Sequence, residues 1–138
     1  MDEKGLAMRV FHLLFCVLLA LPAMAQTPLS GPEFDSYSRG KTLTFNDNGQ
    51  AYGVERYFSG NRVQWSFLDG VCVEGFWYPQ DSFICFVYDA NLEPQCWTFY
   101  KEGGSLRAVF EGDPDGIQLF ETTETEEEML CLGPEVGV

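Results

Sequence analysis

From Leu43 onward, apolar and polar residues alternate in short runs that turn-forming clusters interrupt about every ten residues, the spacing of a sandwich or barrel. The clearest run is Arg62-Val63-Gln64-Trp65-Ser66-Phe67, where Val63, Trp65 and Phe67 share one face because successive strand side chains point to opposite sides. Before it, runs 42–45 and 52–58 flank Asn46-Asp47-Asn48-Gly49. Asn-Gly predicts a hairpin there, since both residues tolerate positive φ. Ser59-Gly60-Asn61 and Asp69-Gly70 mark the next turns. Further strand-like runs cover 71–78, 83–88, 95–100, 105–111 and 117–121, with breaks at Pro79-Gln80-Asp81, at 89–94, at Gly103-Gly104 and at Asp113-Pro114-Asp115-Gly116. Eight strands with short sequential connections predict an all-β fold. It is an antiparallel meander forming a small closed or half-open barrel, which removes the exposed edges of an open sheet. Ahead of the first strand, 30–37 reads as a helical turn or two able to plug one barrel end. Ser30 suits the cap, Pro32 the first turn, and Phe34 with Tyr37 forms an i, i+3 apolar pair.

The N-terminal 25 residues have a different pattern. Arg9 leads into an unbroken apolar run, 10–21, followed by Pro22 and the small-residue site Ala23-Met24-Ala25, which is the layout of a secretory signal peptide. The run is too short for a membrane span, which needs about twenty residues. Asp2 and Glu3 offset Lys4 and Arg9, an unusual start for such a leader, so Met8 is the expected initiator. Cys16 follows the bulky Phe15, unlike a lipid-attachment site. The expected organisation is a leader over 1–25 and a single disulfide-bonded β domain over 26–138, with an acidic, partly mobile tail from about residue 121. A periplasmic or secreted location follows, with no membrane association after cleavage.

Composition narrows the chemistry. With 21 acidic against 8 basic residues the formal net charge is −13, which disfavours nucleic acid and anionic lipid as partners. Solubility explains that charge in the simplest way; steering toward a basic partner is the sharper reading. The only histidine, His12, lies in the leader. Without it the mature domain lacks histidine acid–base catalysis, Ser-His and Cys-His nucleophile pairs and His-containing metal sites. Four cysteines follow the leader, Cys72, Cys85, Cys96 and Cys131, an even number that suggests two disulfides in an exported chain. Three pairings are possible. Cys85 and Cys96 flank a turn and could face each other across adjacent strands, which leaves Cys72 with Cys131. No C-x-x-C spacing favours zinc.

Three constellations remain. Asp113-x-Asp115-Gly116 resembles part of a calcium loop, but Thr122 stands where a bidentate Glu is needed and no helices flank it, so an ordinary β-turn is expected. Gly53 and Gly75 interrupt strand patterns and suggest bulges or bends. Aromatic residues crowd the middle strands. Phe76, Tyr78, Tyr88 and Phe99 join Trp65, Phe67, Trp77, Phe86 and Trp97 there. Most should be core. Trp65, Phe67, Trp77, Phe86 and Trp97 are the candidates for lining a ligand pocket at a barrel mouth.

Gly75-Phe76-Trp77-Tyr78, Ile84-Cys85-Phe86 and Cys96-Trp97, together with Gly40-Lys41-Thr42-Leu43, Gly49 and Tyr52-Gly53, resemble a pattern found in small secreted proteobacterial proteins. The resemblance covers roughly residues 33–100 and implies export and a small, lipocalin-like β-barrel without supplying an activity; Cys131 falls outside it. The expected function is a non-enzymatic extracytoplasmic binding module for a small apolar ligand or a basic protein, with no cofactor. In size, acidity, export and disulfides the chain is similar to periplasmic lysozyme inhibitors, although no inhibitory motif is present. A carboxylate-dependent hydrolase is the enzymatic alternative, requiring two converging Asp or Glu side chains.

Overall fold

The computed structural model describes residues 25–131. The expected leader lies outside the described residues, Ala25 excepted. One helix, α1 (Gly31–Ser38), precedes eight strands: β1 (Thr42–Asp47), β2 (Gln50–Tyr57), β3 (Arg62–Ser66), β4 (Val73–Gln80), β5 (Phe83–Tyr88), β6 (Asn91–Glu102), β7 (Ser105–Phe110) and β8 (Gln118–Thr125). Each strand pairs antiparallel with the next and β1 returns to β8, so the expected meander is a closed barrel.

The turns follow backbone chemistry. Asn48 and Gly49 both take positive φ, 48° and 79°, between the paired residues Asp47 and Gln50, as a tight hairpin requires. Two other turns are shorter than the sequence suggested. Pro79 and Gln80 belong to β4, opposite Ile84 and Phe83, and the chain reverses over Asp81 and Ser82. Similarly, β6 begins at Asn91 and carries Pro94 within it, beside a register shift between Phe86 and Tyr88. Such irregular stretches are where a strand tolerates a residue lacking an N–H. At the other end of the chain, β8 continues to Thr125, past the expected limit at Glu121, because β1 offers it partners as far as Thr42.

One end of the barrel is filled by α1. Ser30 Oγ accepts the Glu33 N–H at 3.3 Å while the Ser30 N–H donates to Glu33 Oε1 at 3.0 Å, a reciprocal cap that sets where the helix starts. One turn later Phe34 is fully buried. Its ring meets Tyr57 and Trp77 edge-on at 5.6 and 5.1 Å and lies tilted on Phe99 at 4.6 Å. Tyr37, on the same side of the helix, places its hydroxyl 2.7 and 2.8 Å from the two carboxylate oxygens of Glu121. Glu121 Oε2 also accepts the Leu106 N–H at 2.7 Å. Burial raises the Glu121 pKa, and the hydrogen bonds from Tyr37 and Leu106 work against that rise.

Both disulfides join the cysteines in the pairing left by the turn argument. Cys85 and Cys96 are cross-strand partners on β5 and β6, with Cα atoms 4.0 Å apart. Cys72 and Cys131 are bonded with Cα atoms 5.4 Å apart. The segment leading to Cys131 is held against the barrel: Thr42 Oγ1 donates to the Glu127 carbonyl at 2.6 Å, and Arg56 Nη1 donates to the Glu126 carbonyl at 2.9 Å.

Replacing Phe34 with Ala removes the plug and should destabilise the fold by about 3–5 kcal/mol in urea denaturation. A loss below about 1 kcal/mol would show that α1 is an ornament rather than part of the core. The cysteine pairs should rank by the chain they enclose, with separations of 59 residues for Cys72–Cys131 and 11 for Cys85–Cys96. Double Cys→Ala variants are expected to lose about 4 and about 3 kcal/mol respectively in the chain-entropy account. The reverse order in matched denaturation curves would rule that account out here.

Candidate ligand site

The half of the barrel away from α1 is hollow. A cavity of about 270 Å³ opens there, bounded by Phe45, Tyr52, Glu55, Tyr57, Trp65, Phe67, Val73, Phe86, Tyr88, Trp97, Phe99 and Ala108, with Ala90, Asn91, Gln95 and Leu119 completing its wall. Two inward glycines lie beside rings of that lining. A methyl group on Gly53 would collide with the Trp65 ring, and one on Gly75 would collide with the Val87 carbonyl and the Tyr88 ring. Those glycines therefore let two large rings lie flat on the wall instead of filling the lumen. Gly53 also adjoins an irregular step in the β1–β2 pairing, whereas the register through Gly75 is regular. The expected bulge therefore occurs beside Gly53 and not at Gly75.

The aromatic lining is ordered by mutual packing. Tyr52, Trp65 and Phe67 contact one another with ring centroids 5.3–5.8 Å apart. Phe86 and Tyr88, two positions apart on β5, are nearly parallel at 6.3 Å. Phe67 lies past the end of β3 and is 59% exposed, so it stands at the rim. Trp65, Phe67, Phe86 and Trp97 thus border one cavity. Trp77 does not. It sits two residues beyond Gly75 toward the plugged end, where Phe34 occupies the space in front of it.

Glu55 is the residue that sequence reading missed. On β2 it alternates with Gly53 and Tyr57, between Leu43 of β1 and Trp65 of β3, and its side chain is 2% exposed. An acid on the inward face of run 52–58 was the available signal, hidden because acidic residues ordinarily mark the outward face. The Tyr88 hydroxyl lies 3.0 and 2.9 Å from its two oxygens. Glu55 takes part in none of the ion pairs among the described residues. Burial pushes its pKa well above the carboxylate range, opposed by the hydrogen bond from Tyr88. The Tyr57 and Tyr88 phenols are held well above their usual range by burial first and by the Glu55 charge second.

The Asp113–Gly116 stretch satisfies itself. Asp113 Oδ1 accepts the Asp115 N–H at 2.9 Å and the Asp113 carbonyl accepts the Gly116 N–H at 3.0 Å, which makes it a side-chain-stabilised turn. No group of three metal-ligating side chains occurs among the described residues.

The site is an aromatic cavity with a single carboxyl, set in the open end of an eight-stranded meander barrel. No family model, curated protein or solved structure matches the chain, and the meaning of the cavity rests on its own geometry.

The pH dependence of folding should report Glu55 directly. Its folded pKa lies above the ordinary value of 4.5, so its contribution to stability is complete below that value and is lost as pH rises toward the folded pKa. Glu55→Gln cannot ionise. Its stability relative to the parent should therefore increase as pH rises above 4.5, as read from urea midpoints across the series. Parallel profiles for the two proteins would show that Glu55 ionises freely in the fold.

Proposed function

We propose that this protein is an extracytoplasmic binding module that takes one small, largely apolar molecule into the open half of its barrel and performs no chemistry on it. The observation that carries this reading is the cavity of about 270 Å³ walled by aromatic rings. Barrel mouths are favoured ligand sites, and pockets for drug-sized molecules run from about 300 to 1,000 Å³. A volume just under that range suits a molecule of one or two rings. Two oxidised cysteine pairs support a setting outside the reducing cytosol. Among the described residues the lining carries one carboxyl, Glu55, whereas hydrolysis of a glycoside uses two.

Isothermal titration with indole and with 2-phenylethanol tests the reading. Saturable binding of at least one is expected, with a change in tryptophan fluorescence because Trp65 and Trp97 line the cavity. Ala108 faces the same space, and Ala108→Leu should weaken that binding about tenfold or more, a loss of about 1.4 kcal/mol, while leaving the circular dichroism spectrum unchanged. Equal affinity in the filled variant would place the ligand elsewhere.

A further inference from the structure

The cavity has an unusual electrical character for an apolar pocket. Its one ionisable acid, Glu55, is buried at the level of the aromatic rings, and the structure gives it a tyrosine donor and no cation. A carboxyl in that position lowers stability unless a positive charge meets it. The groups facing it are Tyr57 from its own strand, Tyr88 from β5, Trp65 from β3 and Leu43 from β1. None of these brings a positive charge. Glu121 is the other buried acid whose charge reaches Tyr57, and it is engaged by Tyr37 and Leu106 at the plugged end.

Resting on the binding-module reading above, we infer that the ligand is an organic cation, a small aryl-alkyl amine whose ammonium group pairs with Glu55 while its ring lies among Trp65, Phe86 and Trp97. Aromatic faces and a carboxylate are complementary to such a cation in two ways. The rings offer their negative faces to a desolvated ammonium group. The carboxylate supplies the countercharge and accepts a charge-assisted hydrogen bond, which is roughly twice as strong as a neutral one. Tyr88 orients the carboxyl by donating to it, leaving lone pairs free to accept from the ligand. A neutral isostere would fill the same volume and forgo the pairing.

An isosteric pair of probes separates charge from shape. Wild-type protein titrated at neutral pH with 2-phenylethylamine and with 2-phenylethanol should bind the amine at least about tenfold more tightly, about 1.4 kcal/mol. In Glu55→Gln that preference should collapse, with alcohol binding retained as proof that the cavity persists. A second measurement uses the wild type alone: below pH 4.5, where Glu55 is protonated, the amine should lose its advantage over the alcohol while alcohol binding is kept. If the alcohol binds as tightly as the amine, or the amine preference survives in Glu55→Gln, the cation inference is overturned and the apolar binding module stands. Should neither probe bind, nor indole, both readings fall together.

Discussion

Pairing of β1 with β8 is the contact on which the rest of the molecule depends. It runs from Thr42 opposite Thr125 to Asn46 opposite Phe120, and it turns a meander with two bare edges into a cylinder with none. Once eight strands close, the diameter is set, and it is just wide enough for side chains to fill. Whether the lumen is full or hollow then depends only on which residues face inward. At one end Phe34 enters from α1 and meets Tyr57, Trp77, Phe86 and Phe99. At the other, Gly53 and Gly75 supply no side chain and the rings beside them lie against the wall. The segment after β8 is gripped by Thr42 and Arg56 near the plugged end and reaches the open end through the bond from Cys131 to Cys72. Cys72 belongs to the β3–β4 loop that carries Phe67 to the rim.

The two ends also treat the same chemical pair differently. Each buries a glutamate against a tyrosine hydroxyl, Glu121 with Tyr37 and Glu55 with Tyr88. At the plugged end the carboxyl has further partners: Glu121 accepts the Leu106 amide and lies near enough to Lys41 for that charge to favour ionisation. That carboxyl thereby ties α1, through Tyr37, to β7, through Leu106. At the open end Glu55 has Tyr88 and a cavity. The contrast matters because a carboxyl accepts through about four lone-pair sites, so Glu55 retains capacity on the side facing the hollow.

Most of the architecture was legible in the sequence because strand periodicity and turn chemistry act locally. Asn48-Gly49 specifies its hairpin, the 62–67 alternation its inward face, and Ser30 with Pro32 its helix start. The spacing of Cys85 and Cys96 about a turn pointed to one of three possible pairings, and that is the one the structure has. The errors came where tertiary pairing overrides local preference. Pro79 and Pro94 read as breaks, yet both lie inside strands that their neighbours extend, and β8 runs on because β1 is there to receive it. The site was legible only in part, for a different reason. Aromatic residues announce an interior, but not at which level of the barrel they sit, so Trp77 was grouped with Trp65, Phe67, Phe86 and Trp97 although it packs against Phe34 and does not line the cavity. Glu55 was overlooked on the inward face of its run because its meaning depends on having no ion-pair partner among the described residues, a property of the assembled barrel.

Stability alone gives no reason for the open end to be built this way. A void in a barrel lowers stability by roughly 24 cal/mol per Å³ of unfilled space in well-studied cores, and a buried acid lacking a countercharge lowers it further. A larger side chain at Ala108 and an apolar one at Glu55 would remove both effects without altering the closure that defines the fold, because cores tolerate hydrophobic substitution when volume and pattern are respected. The chain instead leaves Ala108 and Glu55 facing the cavity and reinforces the fold through two disulfides, which act mainly on the unfolded state and occupy none of the cavity. Rigidity supplied from outside the lumen frees the lumen from supplying it. The covalent bonds, the plug and the hollow are thus parts of one arrangement, in which one half of a small barrel is packed for stability while the other half stays open, as the binding function we propose requires.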